Sequence, residues 1–579
     1  MEDTKQDMPA AHHFETADEK PDVGTKQTTA DMEDDREERT TFKAWACIFF
    51  LASSFGCPFW ATPTTAAIAS QLLGKLGQAE LAAWVIPCIT VCASVTILLF
   101  GANSDLFGCR YFILISNLLV AIGYIVCARA NSTSMLIAGL CLNGCGSGIS
   151  GICLIAVPEL MPNKYRHIGV VLADLFVYIM IITGPVVGRY AIIHDNDSWQ
   201  WLYWGGFIWT TITNIGIFFL YHPPKHPRGI PWKEAVLGLD WVGGVLFTIG
   251  AVLVLVGIVH TSYLSSTDPR VLATLCVGFA FIIAFGLWER FSNVRFPLCP
   301  KEIFAAHRGR EFTIPFCLTF IVVGFFYGTA VIYPTMLNAF YIDATTPVST
   351  QLLLTLPANL ALPAGAALLT AFGKKIGHWK WSLVISTSSL VLWGSLLAMM
   401  TPFNKVTMIA FVTLSQLSYG WCAYLSVTYT RLGVPQEMLG ISGGLAGTAR
   451  YAGGAVAAGC YSTAISNGIT TKAPALITQA ALDRGVPQSA IPAVVAAAAS
   501  GSAALQKIPG VTEEAIEAIT LAYKYAVAYG LRNAALASMA FGIVGVILAC
   551  FCEDIEPKMN DKIEVFLEND ALADKNRFH

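Results

Sequence analysis

The sequence predicts an all-helical (all-α) membrane protein that crosses the bilayer fourteen times. Three observations point there. Apolar residues make up 55% of the 579 residues and charged residues only 13%, about half the ~25% of an ordinary soluble domain. Mean hydropathy is +0.58. The apolar residues form long unbroken runs, not alternating ones, so the spans are helices and not barrel strands. A water-soluble globule cannot hide so much apolar surface behind so few charges. A soluble enzyme, a nucleic-acid binder and a disordered scaffold are excluded on that ground.

The elements follow in order. Residues 1–43 hold 13 Asp/Glu against 6 Lys/Arg, a net −7 within a whole-chain −3. An acidic, aromatic-poor segment of this kind predicts a disordered cytosolic tail. It lacks the basic start and early apolar run of a signal peptide, so the first span is expected to be an uncleaved anchor. Runs of about 20 apolar residues, enough for a bilayer core of ~30 Å, fall at 44–65, 80–101, 110–129, 134–157, 168–189, 200–221, 240–260, 270–290, 313–336, 348–372, 380–400, 405–428, 439–462 and 531–552. The tenth run contains Pro357 and Pro363, and a short loop around Ser265–Asp268 joins the seventh to the eighth.

Basic residues stay cytoplasmic. One set of short loops carries fifteen, among them Arg110, Lys164, Lys225, Arg228, Arg295, Lys374 and Arg431, and the alternate set carries five. Both termini are therefore expected in the cytosol. The sequons at Asn131 and Asn196 then lie outside, in loops too close to the membrane to be good acceptors. The long segment 463–530 also falls outside. Thr512 there predicts a helix cap, with Glu513 and Glu514 in the first turn and an apolar stripe of Ile516, Ile519, Tyr523 and Val527. That pattern predicts a small helical cap on the outer face, or a lid over a substrate exit. Most of the sixteen cysteines sit inside apolar runs, where a thiol is a small hydrophobe. No phosphate-binding Gly-x-x-x-x-Gly-Lys-Ser/Thr loop is present, and the histidines form no metal-ligating cluster within a span; His222 and His226 are four apart, but Pro223, Pro224 and Pro227 prevent a helix there, so the two do not share a face. Neither catalysis nor a cofactor is expected, and an ion gradient must supply the energy for any uphill movement.

The turn after the second span reads Gly101-Ala-Asn-Ser-Asp105-Leu-Phe-Gly108-Cys-Arg110. Its glycines allow a tight turn and close helix approach, Asp105 can bind free N–H groups, and Arg110 offers a charge partner. This string resembles the signature loop of the major facilitator superfamily, which in that family forms a gate-stabilising charge network on the cytosolic side; Cys109 replaces one of its usual basic residues. Gly184-Pro185-Val-Val-Gly188 in the fifth span resembles the antiporter motif of drug exporters in the same superfamily, with Met180 and Arg189 in place of two expected glycines. Three further stretches, beginning at Pro158, Arg450 and Met559, together with fourteen spans and a long last outer segment, make residues 40–570 similar to the fungal trichothecene efflux pump family. Fungal siderophore–iron transporters are close relatives of it. One departure stands out: Leu140-Cys-Leu-Asn143-Gly144 in the fourth span carries no arginine, so the proton route of many exporters is not implied.

The resemblance implies the major facilitator fold: an N-terminal six-helix half (44–221), two linking helices with their loops (222–312), a C-terminal six-helix half (313–552) and a cytosolic tail (553–579). It implies no cofactor, a lipid bilayer, a small-molecule substrate and protons as partners, a monomer, and a plasma-membrane location, with vacuolar or vesicular membranes as alternatives. Export of a fungal toxin or other bulky amphipathic compound in exchange for protons is the expected function. Proton-coupled uptake of ferric siderophores is the runner-up, and a transporter-like sensor, suggested by the acidic tail, is a third reading.

Two charges stand inside the membrane. Asp174 lies about 9 Å into its span and Arg450 about 16 Å, at ~1.5 Å per residue. Each costs ~2.5–3.5 kcal/mol unless it meets a partner or a wet cavity. Asp174 is expected to be a protonation site or a structural acid, and Arg450 to bind an anionic group or pair with an acid. Phe55, Phe59 and Trp60 in the first span, Asn143 in the fourth, Phe325, Phe326 and Tyr327 in the ninth, and Gln416, Tyr419, Trp421 and Tyr424 in the twelfth are candidates for the cavity wall, because those four spans line the pathway in facilitator folds.

Overall fold

The computed structural model describes residues 41–559, apart from breaks at 78–80, 82–83, 86, 163–164, 195–197, 224–231, 262–263, 265–266, 293, 343–345, 436–437 and 499–500. The acidic tail before Thr41, the chain after Met559, the loop bases Lys164, Lys225 and Arg228, and the sequon residue Asn196 lie outside the described residues. Fourteen long helices account for most of the rest. They are α1 (Phe42–Gly56, Cys57–Trp60 and Ala61–Leu76), α2 (Pro87–Phe107), α3 (Cys109–Ala128), α4 (Thr133–Ser150 and Cys153–Glu159), α5 (Arg166–Ala173 and Leu175–His194), α6 (Trp199–Leu220), α7 (Trp241–His260), α8 (Pro269–Phe291), α9 (Thr313–Phe340), α10 (Val348–Ile376), α11 (Trp379–Ser395 and Leu396–Met399), α12 (Lys405–Leu432), α13 (Leu439–Asp483) and α14 (Glu513–Phe551). Among the described residues the only extended pairing is an isolated bridge between Leu239 and Phe296.

Twelve of these helices are long and apolar enough to cross a membrane. The other two, α6 and α13, are long enough but less hydropathic. Four tryptophans, three threonines and an asparagine dilute α6, and glycines and alanines dilute α13. An apolar belt faces outward, including Ile212 and Phe218 of α6, Val245 of α7 and Ile283 of α8, all half-exposed or more. In water this belt would be a large uncovered patch, and in lipid it is the solvent-facing surface. The protein is a multi-pass membrane protein.

Local sequence explains the irregular points. Thr41 caps α1 through the Ala44 amide at 3.2 Å. Pro58 has no N–H to give, and α1 tightens to a 3-10 turn over Cys57–Trp60. Gly108 holds φ +82, which turns α2 into α3 in a single residue. The tenth helix runs unbroken through Pro357 and Pro363.

Helices α1–α6 pack against one another, as do α9–α14. The two groups meet where α2 lies along α13 and where α5 meets α10 and α12. The pair α7–α8 sits outside that seam, with Gly244 of α7 near Leu99 of α2 and Gly459 of α13 against Ile258 of α7. Only 17% of the apolar window of α8 is buried, because among the described residues α7 is its one large neighbour.

Residues 463–530, expected as an outer segment bearing a small cap, are mostly the continuation of α13 and α14. At ~1.5 Å per residue these helices are about 65 Å and 60 Å long, roughly twice a ~30 Å bilayer core. Their projecting ends close around Ile477, Val494, Leu505, Ile516 and Ile519, and Thr512 accepts from the Ala515 amide at 3.4 Å.

The opposite end of the bundle carries an ionic clasp. Glu311, ahead of α9, accepts from Lys558 and pairs with His307, each at 2.8 Å. Partial burial pushes the Glu311 carboxyl up, but the hydrogen bonds from Lys558 and His307 outweigh it and hold the group below its ordinary value. A lowered acid stabilises the fold at pH above its unfolded value, and that contribution is lost as pH falls through the lowered one. Acidification below the ordinary glutamate range is therefore expected to free the segment around Lys558, read as faster proteolysis there. Glu311→Gln should show the same susceptibility already at pH 7.

Candidate functional site

The site begins at a break in α5. Asp174 stands between Arg166–Ala173 and Leu175–His194 with φ −84 and ψ −1, and its side chain is 3% exposed. The break turns the carboxylate towards the other helix group. There Arg450 of α13 approaches its Oδ2 at 3.4 Å, and the Tyr424 hydroxyl of α12 donates to the same oxygen at 2.6 Å. The Tyr178 hydroxyl, one turn beyond Asp174, donates in turn to the Tyr424 hydroxyl. A four-residue polar chain thus crosses the seam. Arg450 remains 27% exposed, because its guanidinium reaches a cavity of about 140 Å³.

The cavity wall is aromatic. Phe55 and Phe59 of α1, Tyr178 of α5, Phe326 and Tyr327 of α9, Tyr419 and Tyr424 of α12 and Tyr451 of α13 line it, with Asp174 and Arg450 as the charges. Phe326 and Tyr419 stack with centroids 4.2 Å apart, and Tyr451 faces Ser147 of α4 at 3.4 Å. Such a wall suits a molecule with flat apolar surface and few polar groups.

Five of the sequence candidates point elsewhere. Trp60 donates its indole N–H to the Leu202 carbonyl of α6 at 2.8 Å. Asn143 is buried at the α3–α4 contact near Gly123. Phe325 packs on Gly394 and Gly542, away from its neighbour Phe326. Gln416 is buried in α12 outside the cavity wall, and Trp421 donates to the Ser382 hydroxyl of α11 at 2.8 Å. The helical period is the reason: positions 419, 423, 424 and 427 share the cavity face of α12, and 421 lies about 200° round from 419. Tyr178 and Tyr451 were not among the candidates. The signal for them was adjacency, since Tyr178 is four residues after Asp174 and Tyr451 follows Arg450.

One end of the seam is closed. Asp105 is buried, and its Oδ1 and Oδ2 accept the N–H groups of Gly440 and Ile441 at 2.8 and 2.9 Å, which are the free donors at the start of α13. Beside it a Cβ on Gly101 would stand 2.6 Å from Gly444 Cα, so the backbones touch there. Arg431, expected in a loop, is instead buried near the end of α12 and donates to the Leu154 carbonyl of α4. Arg110 does not complete an ion pair with Asp105. It donates to the Phe218 carbonyl at 2.8 Å and lies over the Phe218 ring, joining α3 to α6. In the fifth helix, Gly184 packs on Pro63 of α1, Pro185 is carried within the helix, and Gly188 is buried.

Residues 43–578 match the family described as fungal trichothecene efflux pump (TRI12). The chain belongs to this family. Among its relatives is the MFS-type transporter prx5 of Penicillium rubens, 39% identical over 534 residues, which cover 92% of this chain and 95% of that one. The trichothecene efflux pump TRI12 of Fusarium sporotrichioides is 21% identical over 512 residues, covering 87% and 85%. The crystal structure of the human organic anion transporter MFSD10 superposes with a TM-score of 0.52 at 13% identity, covering 87% of this chain and 99% of that one. The last likeness gives the major facilitator fold. As a trichothecene-efflux-pump family member, the chain is a facilitator-type transporter whose two helix groups enclose an aromatic cavity bridged by the Asp174–Arg450 pair.

Proposed function

We propose that this family member exports a bulky amphipathic small molecule in exchange for protons, with Asp174 as the proton-carrying residue. The observation that carries the reading is the Asp174–Arg450 pair, 3.4 Å apart across the two helix groups at the wall of an aromatic cavity. Protonating Asp174 removes the anion that Arg450 and Tyr424 hold, and weakens the tie across the seam. The freed Arg450 charge then faces the cavity, and one helix group rocks against the other about the site. The rings of Phe55, Phe59, Phe326 and Tyr419 supply apolar contact to the cargo. All fourteen helices cross the membrane in this reading, with both termini in the cytosol at the plasma membrane and the Asp105 end facing the cytosol.

The test is flux in vesicles containing the purified protein, against a panel of fungal toxins and ferric hydroxamates under an imposed pH gradient. Uphill movement of a toxin that an uncoupler abolishes supports the proposal. Movement of a ferric hydroxamate alone favours siderophore uptake, and toxin movement indifferent to the uncoupler removes the proton from the scheme.

A further inference from the structure

We propose that the two linking helices carry a proton-binding site of their own, in which Glu289 of α8 and Asp240 at the start of α7 share one proton. The inference goes beyond the exchange mechanism above and does not rest on it. Asp240 and Glu289 are 6% and 7% exposed, and the indole of Trp288, the residue next to Glu289, donates to Asp240, which brings the two acids together. Two of the four carboxyl oxygens have hydrogen-bond donors. Asp240 Oδ1 accepts the Gly243 amide at 2.8 Å and the Trp288 indole N–H at 2.9 Å. Glu289 Oε1 accepts the Leu298 amide at 3.1 Å. Among the described residues Asp240 Oδ2 and Glu289 Oε2 are buried and have no hydrogen-bond partner, and a proton between them satisfies both.

Two adjacent carboxylates out of water cannot both stay ionised, whereas one proton converts their repulsion into a hydrogen bond. The helix start decides which acid carries it. Asp240 caps the first turn of α7, where free N–H groups and the helix dipole favour an anion. Glu289 meets the Leu298 amide and the Cys299 backbone but stands at no helix start, so its Oε2 holds the proton and donates to Asp240 Oδ2. On release the proton passes to water and the pair goes from one negative charge to two; no other bond changes. Water reaches it through a cavity of about 320 Å³ lined by Glu289, Arg295, Lys301, Glu302, Met438 and Ile441.

Among the described residues the charged neighbours are engaged elsewhere or exposed. Arg295 pairs with Glu234 at 3.4 Å on the surface, and Arg290 lies over the Phe291 ring. Cys299 is packed beside both acids. Lys233, Lys301 and Glu302 are exposed. Asp105 of α2 is taken up with the start of α13. The cavity reaches that same start, at Met438 and Ile441, so the proton site borders the closed end of the seam.

Infrared difference spectroscopy across a pH jump, on the purified full-length protein in lipid nanodiscs, tests the site without any cargo. Glu289→Gln keeps both hydrogen bonds, with its amide donating to Asp240, and is expected to fold. Glu289→Leu removes the acid altogether and serves as a second variant. Wild type should show a protonated-carboxyl stretch that both variants lose and that Glu302→Gln, an acid of the same cavity, retains. Carboxyl bands in either folded Glu289 variant that superimpose on those of wild type overturn the proposal, as does loss of the band in Glu302→Gln. Neither result bears on whether toxin flux is coupled to protons.

Discussion

Asp174→Asn is expected to reduce gradient-driven efflux at least tenfold while leaving a folded protein. Asparagine keeps the volume and an acceptor for the Tyr424 hydroxyl, which donates at 2.6 Å in the native site. It cannot bind and release a proton, so exchange stops whichever way the cavity faces. The stability cost is the orphaned Arg450. Breaking a fully buried pair costs ~3–5 kcal/mol, but the Arg450 side chain is 27% exposed to the cavity, and solvent there reduces the loss to roughly 1–3 kcal/mol. A melting temperature lowered by several degrees, with downhill binding of cargo retained, is the expected pattern. Full gradient-driven efflux by the variant would strip Asp174 of the coupling role. Asp174→Glu separates charge from reach: it retains the proton, and partial efflux is expected from it.

The membrane class and the seam were legible in the sequence to different depths. Long apolar runs declare helices in lipid because nothing else can satisfy the backbone there, and the structure places a long helix at each run. Asp174 and Arg450 stood out because charge is rare in such runs, yet their pairing was not readable across 276 residues of chain. It requires the break at Asp174, which no proline or glycine at that position announces. Asp105 was legible as an anion near a helix start, but the start it caps belongs to α13, not to the helix that follows it. Arg110 looked like its partner through nearness in sequence, and the fold sends it to α6 instead. Asp240 and Glu289 sit at the ends of apolar runs, where an acid ordinarily meets water; the segment around Leu298 folds back and buries Glu289. Helical phase separated Phe326 from Phe325 and Tyr419 from Trp421, and that phase depends on how each helix is rolled against its neighbours.

Gly101→Val tests whether the closed end is one state of a moving seam. A Cβ at this position would lie 2.6 Å from Gly444 Cα and 3.2 Å from the Gly440 carbonyl oxygen, and backbone atoms cannot rotate aside as a side chain does. Helices α2 and α13 must separate, which takes Asp105 from the Gly440 and Ile441 amides it now accepts. Overpacking costs ~1–3 kcal/mol, and each lost charge-assisted hydrogen bond contributes ~1.5 kcal/mol or more. About 3 kcal/mol against the closed arrangement shifts a two-state equilibrium by roughly 100-fold. The rest of the fold is untouched by the change, so the protein should remain folded but held open at this end. Spin labels at the exposed positions Tyr111 and Trp381, on opposite sides of the seam, should report a longer distance, and efflux should fall at least tenfold. Gly74→Val is the matching control, because a Cβ there meets open space. If Gly101→Val leaves both the label distance and efflux at their native values, the contact between α2 and α13 is ordinary packing and the seam does not open where Asp105 closes it.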